Sequence, residues 1–177
     1  MTDAADIAPP SKLWKQLPAD RKLMAADAFW RDDNADVERM EVLAAIANRI
    51  KFRVKSVMAM PVEKKARQLL ALPSMSETVA ARLLVAYHVA HQRPLMGRFL
   101  DALGIAHEDG MISAEEVTAP APEALAAAAR TLAESCPADD VALYLSTLYW
   151  QDPETWGGVA DLPQLRAASP ASASQGT

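Results

Sequence analysis

Proline residues recur along this chain and confine it to short segments of regular structure. Between them, apolar residues return at steps of three and four, the spacing of one face of a helix. Alanine occurs 36 times, glycine only six times, and β-branched residues are few, a composition that favours helices over a sandwich or barrel. The sequence therefore predicts an all-α fold, a compact irregular bundle of six to eight helices with disordered termini.

The two ends of the chain differ in composition from its middle. Residues 1–11 and 167–177 are small, polar or proline-rich, so we expect both to be disordered tails around a single helical domain at 12–166. The N-terminus lacks the apolar region of a secretory signal, and no apolar run approaches the length of a membrane span. Cys136 is the one cysteine, so no internal disulfide can form. These features predict a cytoplasmic protein without membrane insertion, and the high alanine content suggests a bacterial source.

Residues 34–58 carry the longest helical pattern. Apolar side chains form one stripe, and its members are Val37, Met40, Leu43, Ala47, Ile50, Val54 and Val57. Within it, residues 49–55 alternate basic and apolar, as a half-buried strand would. Because the stripe continues through this segment and no partner strand is evident, we favour one helix as far as Met58. We also expect capping boxes at Ser74–Glu77 and Ser113–Glu116.

Proline and glycine also mark two later boundaries. Alanine-rich residues 123–136 and residues 138–151 predict a pair of helices broken by Pro137. Gly104, followed by the apolar Ile105, is typical of a left-handed residue just after a helix.

Charge is segregated along the chain. From Arg39 to Arg98 eleven Lys and Arg residues face three acids, a local net charge of +8, whereas residues 99–177 carry a net charge of −10. Seven of these cations, here called the basic cluster, are Arg49, Lys51, Arg53, Lys55, Lys64, Lys65 and Arg67. They predict a non-enzymatic interaction or regulatory module that binds an acidic protein surface or another polyanion. The alternative is a solvated face, or one neutralised by the acidic half of the same chain.

Residues 62–92 suggest a second function. A short helix, a tight turn and a second helix beginning near Glu77 have the outline of a helix-turn-helix nucleic-acid-binding unit. The second helix offers Arg82 and His88 but few other polar side chains for reading base edges. This nucleic-acid hypothesis is the alternative to an acidic protein partner.

The three histidines suggest a third class, a small enzyme or metal-binding protein. His88 and His91 are three residues apart on one helix, and His107 follows a later turn. The apolar pattern places His91 beside Tyr87 and Leu83, which favours a hydrogen-bonded core histidine and no metal site. An anion pocket could instead combine His88, Arg93, Arg98 and His107. The sequence contains no phosphate-binding glycine loop, nucleophile elbow or zincin motif, so we expect no cofactor and name no catalytic residue.

Overall fold

A computed structural model describes residues 7–167 of the chain. The described residues form an all-α structure with eleven α-helices, more than the six to eight expected, and one hairpin of two-residue strands. They divide into two compact units. The N-terminal unit is Pro9–His91, and the described part of the C-terminal unit is residues 7–8 and 92–167.

The predicted tails overlap the described residues at both ends. Ile7 is buried, and the first helix begins at Pro10, inside the segment 1–11. The last helix ends at Ala167, the first residue of the other predicted tail. The remaining parts of those predictions, residues 1–6 and 168–177, lie outside the described residues.

Six helices form the N-terminal unit around the second of them. Their bounds are α1 (Pro10–Gln16), α2 (Ala19–Arg31), α3 (Asp36–Ile50), α4 (Val54–Met58), α5 (Val62–Leu70) and α6 (Glu77–His91). Helix α2 contacts both α5 and α6, while α1 packs on α6 and α4 packs on α3. The side chains of Phe29 and Trp30 on α2 are buried and meet edge to face, with ring centroids 5.3 Å apart. Burial of these aromatic side chains supplies much of the hydrophobic driving force of the unit.

The predicted helix to Met58 is interrupted, and this part of the prediction was wrong. Helix α3 ends at Ile50, and Lys51 takes the left-handed conformation with φ 58° and ψ 36°. The backbone N–H groups of Lys51 and Phe52 both donate to the Ala47 carbonyl, the arrangement that commonly ends a helix. Residues 49–55 thus contain a helix end, a turn and the start of α4, and they pair with no strand in the described structure.

The apolar stripe of the predicted long helix is only partly buried. Leu43, Ala47 and Val57 are inside, but Val37 and Met40 are 78% and 51% exposed. Helix α3 instead buries the face formed by Val42, Leu43, Ile46 and Ala47. In the first two turns of α3, the predicted apolar stripe therefore lies on the wrong face of the helix.

Both predicted capping boxes were also wrong. The Ser76 hydroxyl, not that of Ser74, accepts the N–H of Val79 at 3.2 Å at the start of α6. The Glu77 carboxylate accepts from Ser11, whose N–H lies 2.9 Å away, so it joins α6 to α1. Ser113 and Glu116 precede any helix, because the next one begins only at Pro122.

The C-terminal unit is built around one nearly encircled helix. Its elements are α7 (Arg93–Leu103), β1 (His107–Glu108), β2 (Met111–Ile112), α8 (Pro122–Ser135), α9 (Ala138–Gln151), α10 (Pro153–Trp156), a 3₁₀ turn (Gly157–Asp161) and α11 (Pro163–Ala167). Every residue of α9 from Asp140 to Tyr149 is buried. Phe99 of α7 meets Tyr144 of α9 edge to face at 5.6 Å. The helix pair broken by Pro137 matches the boundaries expected from the sequence.

Two glycines of this unit have positive φ for different structural reasons. Gly104 ends α7 at φ 68°, as its position before Ile105 suggested, and has open space where a side chain would stand. Gly110 lies in the hairpin turn at φ 81° and is pressed against α7. A Cβ atom there would lie 2.7 Å from the Arg93 carbonyl oxygen and 3.0 Å from the Met96 Cβ.

We therefore expect Gly110→Ala to destabilise the protein more than Gly104→Ala. The Gly104 variant incurs only the left-handed strain, about 1 kcal/mol. The Gly110 variant adds an overlap with backbone, for a total of about 3 kcal/mol. Urea unfolding of both variants followed by circular dichroism measures the difference. Equal losses would show that the hairpin moves away from α7 without cost.

Candidate binding surface

Three consecutive helices of the N-terminal unit present the basic cluster. Arg49 lies in the last turn of α3, Lys51 and Arg53 in the turn that follows, and Lys55 in α4. The remaining three, Lys64, Lys65 and Arg67, lie in α5. Six of the seven side chains are exposed, and Lys65 is half-buried.

Side-chain contacts bring the ends of these helices together. The Arg49 guanidinium donates to the Gln68 amide oxygen at 3.3 Å, which connects the end of α3 to α5. The Lys65 ammonium donates to the Met58 carbonyl at 3.4 Å, which connects α5 to the end of α4. These two contacts thus place the ends of α3 and α4 beside α5.

Lys65 differs from the other members of the cluster. Its ammonium nitrogen lies 5.0 Å from the centroid of the buried Trp30 ring, a cation–π geometry. The Trp30 indole N–H is itself buried and has no hydrogen-bond partner in the described structure. Lys65 therefore covers the core of the unit as well as contributing charge to the surface.

Four acidic side chains of the N-terminal unit lie close to cations outside the basic cluster. Asp27 and Glu63 lie 2.9 and 3.7 Å from Arg31. Asp36 pairs with Arg39, and Glu38 lies 3.7 Å from Arg82. The hydrogen bond and charge of Asp27, followed by the charge of Glu63, raise the pKa of Arg31 above its ordinary value. Within Pro9–His91, no described carboxylate is within ion-pair distance of any member of the basic cluster.

The division into compact units also divides the charge. Pro9–His91 contains fourteen Lys and Arg residues against nine Asp and Glu, a net charge of +5. The described part of the C-terminal unit contains four against twelve, a net charge of −8. A property noticed as a run along the sequence is therefore a property of two folded bodies.

Sequence reasoning missed an aromatic side chain in the middle of the cluster. Phe52 is 55% exposed between Lys51 and Arg53, and it is the only exposed Phe, Tyr or Trp among residues 7–167. Met58, at the end of α4, is 49% exposed. A signal for Phe52 existed, because this residue falls between stripe positions 50 and 54 and so had no place on the predicted buried face.

The second helix of the predicted helix-turn-helix unit is almost fully covered. In α6 only Glu77, Thr78, Ala90 and His91 are exposed, and they stand at its two ends. The Arg82 side chain is directed to Glu38, and His88 is buried. Helices α5 and α6 each pack mainly on α2 rather than on each other. The arrangement leaves α6 no exposed polar face of the kind that reads base edges.

The roles expected of the paired histidines are reversed. His88 is 2% exposed, and its Nδ1 lies 2.7 Å from the Leu84 carbonyl, whereas His91 is exposed. The prediction of His91 as the core histidine was wrong, because the buried residues of α6 end at His88 and the last two residues of the helix are exposed. No group of three or more His, Cys, Asp or Glu side chains among residues 7–167 is arranged to hold a metal ion.

The cationic members of the suggested anion pocket have partners within the C-terminal unit. Arg93 lies 3.2 Å from the Asp109 carboxylate, and Arg98 lies 3.8 Å from the Cys136 sulfur. His107 Nε2 is 2.9 Å from Asp101, and its Nδ1 accepts the Gly110 N–H at 3.1 Å. The Arg93 and His107 contacts fasten the hairpin to α7, which gives His107 a structural role.

Comparison with protein-family models, curated proteins and solved structures found no match to this chain. None of the helices within residues 7–167 combines the length and apolar composition needed to cross a membrane.

We expect His88→Ala to lower the free energy of unfolding by about 2 kcal/mol, because it leaves a cavity and removes a buried hydrogen bond. His91→Ala, three residues away and exposed, is the matched control and should change it by less than about 0.5 kcal/mol. Thermal or urea unfolding monitored by circular dichroism checks both. Equal effects would contradict the assignment of His88 as the core histidine.

Proposed function

We propose that this chain is a non-enzymatic interaction module that binds an acidic protein partner through the basic cluster. The observation that carries the proposal is that six of the seven cations are exposed and that no carboxylate among residues 7–167 lies within ion-pair distance of the cluster. Four acids of the same unit pair instead with cations outside it. A partner's carboxylates would meet charges that need not first release an internal ion pair. Such contacts add to association rate and specificity as well as to affinity.

The local structure of the cluster gives further support. A left-handed lysine costs about 1–2 kcal/mol relative to the ordinary conformation, a cost that glycine would avoid. Seven cations within nineteen residues, opposed only by Glu63, repel one another as well. Departures from local optimality of this kind concentrate at functional surfaces.

The nucleic-acid alternative shares the charge but lacks a reading element. Six exposed cations could bind phosphates without sequence preference. Sequence readout needs polar side chains along an exposed helix, and the exposed positions of α6 are confined to its ends. The acidic protein is therefore the partner that we propose, and duplex DNA is the comparison in the test.

A pair of double variants with equal net charge tests the proposal. Lys55→Glu with Lys64→Glu reverses two exposed charges of the cluster, and Lys12→Glu with Lys15→Glu reverses two exposed charges on α1 of the same unit. We expect the first pair to weaken binding of a glutamate-rich peptide about tenfold or more and the second to have a much smaller effect. Isothermal titration calorimetry at two salt concentrations measures both.

Two results would contradict the proposal. Equal loss in both double variants would indicate attraction by net charge alone and no defined surface. Submicromolar binding of duplex DNA with preference for one sequence at physiological salt would establish the helix-turn-helix alternative. Circular dichroism of the two double variants checks that each is folded.

A further inference from the structure

We infer that Phe52 is an apolar anchor within the basic cluster, so that the partner is an acidic segment with large apolar side chains among its carboxylates. This inference rests on the proposed function and specifies the chemistry of its partner. It begins from an exposed aromatic side chain where burial would be expected. Aromatic side chains, phenylalanine included, are enriched at protein interfaces, and the residues that dominate binding energy cluster near the interface centre.

The backbone holds Phe52 in a fixed place. Its N–H donates to the Ala47 carbonyl at 3.0 Å, which ties it to the last turn of α3. One residue later, the Arg53 carbonyl accepts the N–H groups of Ser56 and Val57 at 2.9 and 3.2 Å and starts α4. The aromatic residue therefore lies between two anchored helix ends, and little backbone ordering remains to oppose binding.

Basic side chains flank this residue along the sequence. Lys51 and Arg53 flank Phe52 directly, and Arg49 and Lys55 are the next cations on either side. The exposed Met58 ends α4, where its carbonyl receives the Lys65 ammonium. An apolar centre bordered by cations complements a partner that is apolar at one position and acidic around it.

Two other classes of anion fit this surface less well. Proteins that bind single-stranded nucleic acid stack successive bases on several aromatic side chains, and Phe52 is the only exposed Phe, Tyr or Trp in the described part of the chain. A membrane-surface segment needs a broad apolar face along a helix. Between residues 49 and 67 the exposed large apolar side chains are Phe52 and Met58, while Val57 points into the core.

The test separates charge from apolar contact with two peptides of equal length and charge. One consists of Glu-Glu-Leu repeats and the other of Glu-Glu-Ser repeats. We expect the full chain to bind the leucine peptide more tightly, and Phe52→Ala to weaken that binding roughly tenfold while leaving the serine peptide unchanged. Val37→Ala is the control. It removes an exposed apolar side chain of α3, outside the basic cluster but in the same unit, and should leave both affinities unchanged.

The outcomes distinguish this inference from the function on which it rests. If both peptides bind equally and Phe52→Ala affects neither, the anchor is refuted and the charged surface stands. If neither peptide binds, the proposed function fails and the inference with it. The inference would also be overturned if oligothymidylate or phosphatidylserine vesicles bound tightly and Phe52→Ala weakened that binding more than it weakened peptide binding. Nucleic acid or an anionic membrane would then be the preferred ligand. Because Phe52 is exposed, its replacement leaves the core intact, and the thermal midpoint of the variant verifies this.

Discussion

The left-handed turn at Lys51 is the constraint on which the candidate surface depends. It ends α3 at Ile50 and redirects the chain before α4 begins. In one continuous helix, Phe52 would lie on the solvent-facing side, and the cations would flank it at helical spacing. The turn instead places Lys51, Phe52 and Arg53 in the short segment between α3 and α4, where all three side chains are exposed. Its strain is offset by two N–H groups that donate to the Ala47 carbonyl.

Much of the fold was predictable because proline and glycine act locally. Pro137 separates α8 from α9 at the expected place, and Gly104 ends α7 with the expected left-handed geometry. The failures came where tertiary contacts override local preference. The residue at the left-handed position is a lysine, not the glycine or asparagine that commonly ends a helix there, and no proline follows before Pro61. Glu77 was expected to cap its own helix, but it bonds to Ser11, sixty-six residues away in sequence.

The candidate surface was predictable in composition but not in shape. The seven basic residues follow from charge counting, and six of them are exposed. Counting could not reveal that Lys65 covers Trp30, because that contact joins α5 to α2. Nor could it separate His88 from His91, since both lie near the edge of the apolar face of α6. A small difference in how far that face extends decides which imidazole is buried.

Charge alone cannot make such a surface selective in a chain of this composition. The described part of the C-terminal unit places twelve carboxylates against four cations in every copy, so acidic groups are present at the concentration of the protein itself. Selectivity is a difference between affinities, and a partner recognised only through carboxylates would gain little over these competitors. An apolar contact at Phe52 contributes binding free energy that does not depend on charge and is screened little by salt. Phe52 would thus give the basic cluster a higher affinity for acidic segments that carry apolar side chains than for acidic segments that lack them.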